Sequence, residues 1–259
     1  MQFTTNGIHH MRLSRVFIEQ SLTPGQSLEL PAHLVNYLVN VLRLKAGSEI
    51  ILFNGLSLND QIGEFSATLS TCSKRQCIVS INQFIVKHSE SSLKSHLYQG
   101  ISRSERMDYS IQKAVELGIN SITPVLSQYS NAKKLNDKQL QKKLQHWQGI
   151  ATSACEQSGR CTWVNINKPV KTEQITIAKD ASSLLLSPAA SKSLRCISSR
   201  KISLLNLLIG PEGGLSTEEI NWAVAQGFEP ITLGKRVLRT ETAGLTVLSI
   251  AQFLWGDLG

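Results

Sequence analysis

The sequence predicts an α/β protein in two parts, a small N-terminal β-barrel and a larger parallel sheet with helices on both faces. Three observations carry this. Residues 12–86 read as short β segments separated by turn signals. From His96 onward, strands alternate with helices. Between them the polar run His88–Ser95 breaks the pattern, which divides the chain into residues 1–90 and 91–259.

The first part holds β segments at Arg15–Glu19, Ser27–Leu30, Glu49–Phe53, Glu64–Leu69 and Cys77–Phe84. Pro24-Gly25, Ala46-Gly47 and Asn54-Gly55 supply turns. Ala32–Leu42 interrupts them with Leu34, Val35, Leu38, Val41 and Leu42 at helical spacing. Short strands at such intervals suggest a small barrel.

In the second part, Leu97–Ile101 reads as a strand and Met107–Leu117 as a helix closed by Gly118. Ile122–Leu126 is a strand and Asp137–Glu156 a long polar helix. Leu184–Ser187 and Leu204–Ile209 are strands. Ser216-Thr217-Glu218-Glu219 fits a capping box, opening a helix that stops at Gly227. Ile231–Leu233 is a strand, and Ala243–Trp255 closes the chain as a helix. That last helix is apolar nearly all round, interrupted mainly by Thr246, Ser249 and Gln252, so more than one side must be covered.

Composition narrows the function classes. With 41% hydrophobic and 18% charged residues over 259 positions, collagen-like, coiled-coil and wholly disordered classes are excluded. The 27 Lys+Arg against 19 Asp+Glu give a net charge of +8, which favours a polyanionic partner such as RNA. The surplus concentrates around Lys133, Lys134, Lys138, Lys142 and Lys143, read either as a solvated helix face or as phosphate contacts. No apolar run approaches the roughly 18 residues of a membrane helix. Met1–His10 has no signal-peptide pattern, so a cytoplasmic protein is expected. The five cysteines show no metal-binding spacing and are expected as reduced thiols, with no metal site. The scattered histidines point to no catalytic His, and Trp147 and Trp163 read as core or interface residues.

Two loops carry the chemistry. In Leu208-Ile209-Gly210-Pro211-Glu212-Gly213-Gly214-Leu215-Ser216, an apolar strand ends in a Gly/Pro loop before a capped helix. Glycine allows close backbone approach to a ligand, and α/β sheets bind ligands beyond the carboxyl ends of their strands. The loop is neither a Walker phosphate loop nor a dinucleotide fingerprint; taken alone it reads equally as a tight turn. The second loop, Leu233-Gly234-Lys235-Arg236-Val237-Leu238-Arg239-Thr240-Glu241-Thr242-Ala243-Gly244, also follows a strand and opens a helix.

Together these two loops resemble the RsmE family of SPOUT methyltransferases. Met11–Phe17, Tyr37–Leu44, Gln112–Gly118 and Glu156–Arg160 are similar to further family segments, in the same order, with Tyr37 replacing the family's usual His. The resemblance spans nearly the whole chain and leaves residues 1–10 as an extension expected to be disordered. It implies a trefoil-knotted C-terminal domain, an exception to the rule that chains are unknotted, and a PUA-like N-terminal barrel that helps bind RNA. It further implies a homodimer with its active site near the subunit interface. The implied activity is methylation of N3 of uracil 1498 in 16S ribosomal RNA by S-adenosylmethionine, with the assembled small subunit as the expected context.

On that reading Ile209, Gly210, Pro211, Glu212, Gly213, Leu233, Gly234, Val237, Leu238 and Thr242 form the cofactor site. Apolar members pack on the purine, Pro211 stiffens its loop and Glu212 orients. Uracil N3 is a weak nucleophile while protonated, so alignment and help with the proton are needed. Arg239 is expected to stabilise the uracil anion. Glu241 either takes the proton or holds Arg239, and a purely structural pair is the alternative. Arg12, Arg15, Arg43, Arg103, Lys133, Lys134 and Arg160 are the expected RNA contacts, with Glu116 a weaker active-site candidate. A ribose 2′-O-methyltransferase and a catalytically silent ribosomal RNA-binding protein are the competing functions.

Overall fold

The computed structural model describes residues 13–130 and 135–259. Arg12, Lys133 and Lys134, expected RNA contacts, lie outside the described residues. The chain divides into two compact units, one ending at His88 and the other beginning at Ser89.

The first unit is a five-stranded sheet in the order β1-β3-β4-β5-β2. Its strands are β1 (Ser14–Phe17), β2 (Ser27–Glu29), β3 (Glu49–Phe53), β4 (Gly63–Cys72) and β5 (Cys77–Val86). β1 and β3 run parallel and the other neighbours antiparallel. Their inward residues, including Val16, Ile50, Leu52, Leu69 and Val79, close around Leu38. The expected Ala32–Leu42 helix forms differently. One α turn, α1 (Ala32–Val35), passes into a π-helical segment, Asn36–Val41. The wider i→i+5 winding breaks the 3.6-residue period, so Leu34, Val35 and Leu38 are buried while Val41 and Leu42 are exposed.

In the second unit, β6 (Lys94–Gly100), β7 (Ser121–Leu126), β10 (Ser182–Leu186), β11 (Leu204–Ile209) and β12 (Glu229–Ile231) form an all-parallel sheet in the order β12-β10-β11-β6-β7. Two short strands, β8 (Asn165–Ile166) and β9 (Val170–Lys171), both pair with β7. The helices are α2 (Ser104–Glu116), α3 (Asp137–Ser158), α4 (Thr217–Ala225) and α5 (Thr240–Trp255). β11 is central, which is why its sequence is apolar without alternation apart from Asn206, whose side-chain amide donates to Ser183 Oγ. Tyr98, Leu185 and Leu208 face Ala223 of α4. On the opposite face, Gly244 of α5 lies against Gln99 and Ile209. Both faces are therefore covered.

Several expected boundaries shift by a few residues, and two of these shifts bear on the site. β12 ends at Ile231 because its register follows β10, with Leu184 opposite Glu229 and Leu186 opposite Ile231. Leu233 is left in the following loop. The last helix begins at Thr240, three residues before its apolar periodicity, because Thr240, Glu241 and Thr242 form a polar first turn.

Candidate active site

The loops that follow β10, β11 and β12 meet at the carboxyl ends of these adjacent parallel strands, where open α/β sheets bind ligands. They enclose a cavity of about 400 Å³. Leu186, Ser187 and Pro188 come from the first loop, Ile209 to Glu212 from the second, and Leu233 and Arg236 to Arg239 from the third. Arg106 reaches the same cavity from α2.

Close backbone contacts hold the second loop. A Cβ on Gly100, the last residue of β6, would stand 2.5 Å from both Cδ and N of Pro211. One on Gly210 would stand 2.9 Å from the carbonyl carbon of Gly214. At both positions the loop folds onto backbone with no room for a side chain. Ser216 then caps α4 through the expected box: Glu219 N–H donates to Ser216 Oγ at 3.2 Å, and Ser216 N–H to Glu219 Oε2 at 2.8 Å. The other Glu219 oxygen accepts from Gln128 N–H and the Thr172 hydroxyl, tying two more segments to the loop.

Of the residues expected at the cofactor, Ile209, Gly210, Pro211, Glu212, Leu233, Val237 and Leu238 line the cavity. Gly213 instead packs beside Tyr129, where a Cβ would meet Tyr129 Cβ at 2.7 Å. Gly234 sits in the third loop at φ +119°, and Thr242 is exposed on α5. Neither is among the lining residues.

The charged residues pair differently from the expected Arg239–Glu241 couple. Glu241 Oε1 is 3.8 Å from Nε of Arg106, and Nη1 of Arg106 is 3.4 Å from Glu212 Oε1. Arg239 is an exposed cavity residue at the start of α5, and among the described residues no ion pair joins it to Glu241. Arg106, the loop Leu186–Pro188 and Thr240 are members of the site that sequence reasoning missed. Arg106 carries no sequence signal, since only the sheet order places β6 beside β11.

Residues 89–252 match the RNA methyltransferase domain family, and residues 30–82 match the RNA methyltransferase PUA domain. The chain belongs to the RNA methyltransferase family. Within that family it is 36% identical to "Ribosomal RNA small subunit methyltransferase E" of Buchnera aphidicola subsp. Schizaphis graminum, over 95% of this chain and 98% of the relative. Among solved structures, a methyltransferase of Legionella pneumophila in complex with the bound cofactor SAM is 39% identical, with a TM-score of 0.88 over 95% of this chain and 100% of that one. A ribosomal RNA small subunit methyltransferase E from Neisseria gonorrhoeae, bound to S-adenosylmethionine, is 33% identical with a TM-score of 0.86 over the same shares.

As an RNA methyltransferase with a PUA domain, the chain divides its arginines between structure and surface. Arg160, expected at RNA, is instead buried. Its Nη1 donates to the carbonyls of Val115 and Ile119 at 3.0 and 2.7 Å, and its Nη2 pairs with Glu90 at 2.5 Å. Arg15 is likewise withdrawn: it pairs with Glu64 at 2.9 Å and lies over the Phe53 ring. Both partners are remote in sequence, so both arginines looked free. Arg43 is exposed at φ +58°, and the Arg103 side chain is exposed at the start of α2. Glu116 pairs with Lys113 one turn away. Trp147 is core, and the Trp163 indole N–H donates to Thr152. Among the described residues no cluster of His, Cys, Asp or Glu is arranged to hold a metal ion. No described helix is long and apolar enough to cross a membrane.

Proposed function

We propose that the protein transfers a methyl group from S-adenosylmethionine to N3 of a specific uridine of 16S ribosomal RNA. One observation carries the reading: a cavity with apolar walls and exposed loop backbone, closed by a glycine that tolerates no Cβ, at the carboxyl ends of three parallel strands. These features suit the cofactor. Ile209, Leu233, Val237 and Leu238 offer apolar packing for a purine, and the loop amides and carbonyls offer hydrogen bonds to its edge and to ribose. S-adenosylmethionine supplies, when bound, an electrophilic methyl group on a sulfonium. The names of the relatives and the ligands of the solved neighbours support the same reading.

The target atom lies on the Watson–Crick edge, so the base must be unpaired or extruded to reach the site. Arg43, Arg103 and Arg239 stand exposed for RNA contact. The same reading includes a trefoil-knotted second unit, a homodimer, a cytoplasmic location and the assembled small subunit as substrate. The test is mass-spectrometric mapping of small-subunit RNA from a deletion strain, with and without the purified enzyme. Gain of one methyl on uracil N3 is expected. A methyl on ribose 2′-OH would establish the competing chemistry, and no methyl with no cofactor heat in calorimetry would leave an RNA-binding protein.

A further inference from the structure

Glu241 Oε2 is buried and has no hydrogen-bond partner. Its other oxygen is 3.8 Å from Arg106 Nε, outside hydrogen-bond range. A buried acceptor left unmade costs stability and calls for a reason. Beside it, Arg106 lines the cavity with its side chain 31% exposed, held loosely between two carboxylates. Glu212 is the anchor of the group. Its Oε1 accepts the Arg103 N–H at 3.1 Å and faces Arg106 Nη1 at 3.4 Å. Three separate elements thus place one loosely held donor fork at the cavity edge and, beside it and just behind the lining, one unsatisfied acceptor.

We propose that Arg106 and Glu241 together receive the imide edge of the target base, a role that rests on the methyl-transfer reading above. A uracil presents a carbonyl oxygen next to an N–H. Arg106 donates to that oxygen at position 4, and Glu241 Oε2 accepts the N3–H. Cytosine offers the reverse pattern at those positions, an amino donor beside a bare N3 acceptor. It would set N–H against guanidinium and a lone pair against carboxylate. The pair therefore selects uracil over cytosine. In the reaction, the N3 proton passes to Glu241. The N3 lone pair forms the bond to the methyl carbon while the carbon–sulfur bond breaks with its electron pair on sulfur. Glu241 afterwards releases its proton to solvent. Arg106 holds the charge that develops on the carbonyl oxygen, and Glu212 positions Arg106.

The experiment uses full-length enzyme and unmethylated small subunits carrying either uridine or cytidine at the target position. Affinity for each is measured with S-adenosylhomocysteine present, alongside calorimetry with S-adenosylmethionine. Wild type should prefer uridine by about tenfold or more. Arg106→Met and Glu241→Gln should lose that preference while keeping cofactor affinity within about threefold. Arg106→Lys should retain part of it. Single-turnover methylation by Glu241→Gln should fall by about 100-fold or more. Variants that keep the full uridine preference overturn the proposal, as does loss of cofactor binding, which would put both residues in the cofactor's own site. If wild type itself binds no cofactor and methylates no N3, the methyl-transfer reading has failed instead.

Discussion

The Thr240 hydroxyl donates to the Gly210 carbonyl at 2.6 Å, joining the first turn of α5 to the end of β11 across 30 residues of chain. The same hydroxyl accepts from Gln99 Nε2 at 2.9 Å, so β6 is tied in as well. Arg239, which precedes α5, makes no side-chain cap. Thr240 serves the neighbouring loop rather than its own helix. Two of the three loops around the cavity are thereby fixed to each other before any ligand arrives, and preorganisation of this kind lowers the cost of binding.

Thr240→Val tests that tie. The substitution keeps the shape and removes the hydroxyl, stranding the Gly210 carbonyl and a Gln99 N–H in a buried setting. The fold should lose about 1–3 kcal/mol in urea unfolding, and S-adenosylmethionine affinity should fall by about tenfold in calorimetry. Thr240→Ser should restore both. A Val variant with wild-type affinity would show that the tie is irrelevant to the cofactor.

Gly210 and Gly213 make a second comparison. Ala at 210 sets its Cβ 2.9 Å from the Gly214 carbonyl carbon and 3.1 Å from its Cα, so backbone must move at the cavity wall. Gly210→Ala should therefore abolish cofactor binding with little loss of fold. At Gly213 the obstacle is the Tyr129 side chain, away from the cavity lining. Gly213→Ala in a Tyr129→Gly background, which removes the Tyr129 Cβ that the new side chain would meet, should bind cofactor normally. Equal loss in both variants would contradict the division between the two glycines.

Much of this was legible in the sequence because local chemistry dictated it. Leu204–Ile209 is buried on both faces and has the bounds its apolar run predicts. Ser216 and Glu219 form the box their spacing predicts. What stayed hidden depends on contacts between distant residues. Arg160 finds Glu90 70 positions away, and Arg15 finds Glu64 49 positions away. Neither arginine differs in sequence from one that meets phosphate. The polar first turn of α5 was hidden for another reason: apolar periodicity marks a helix only where it packs.

Arg160 should consequently behave as a structural residue. Arg160→Ala takes the guanidinium away from the Glu90 carboxylate and from the carbonyls of Val115 and Ile119. Breaking a buried pair from one side costs about 3–5 kcal/mol. Thermal unfolding should drop markedly, while at a temperature where the variant remains folded its RNA affinity should match wild type. Lost RNA binding by a variant of unchanged stability would return Arg160 to the RNA surface.

His96 gives the protein an acid-sensitive element. Burial pushes its imidazole down to about 4 from 6.5, and it stacks on Tyr98 with Nε2 2.7 Å from Thr123 Oγ1. The folded value lies below the unfolded one, so the fold favours neutral His96. This stabilisation is complete above pH 6.5 and is lost as pH falls from 6.5 towards 4, on the order of 3 kcal/mol. Urea unfolding at pH 7.5 and 4.5 should show a smaller loss for His96→Gln than for wild type. Equal losses would exclude His96 as a source of acid sensitivity.

The final helix offers a test of the proposed dimer. Its apolar sequence requires cover on more than one side, and its own chain covers only part of it. Leu248 is 1% exposed, whereas Phe253 is 64% exposed. Thr246, Ser249 and Ile250 share the Phe253 stripe by helical spacing and are only partly buried. Tyr109, on the adjoining α2, is also half exposed. A large aromatic left open on such a stripe is matched most simply by a second copy packed about a two-fold axis. Phe253→Glu should give a folded monomer by light scattering at micromolar concentration, with weakened methyl transfer, while wild type runs as a dimer. Leu248→Glu would disturb the core itself and is not a clean test. A wild type with the mass of one chain and full activity would refute the dimer.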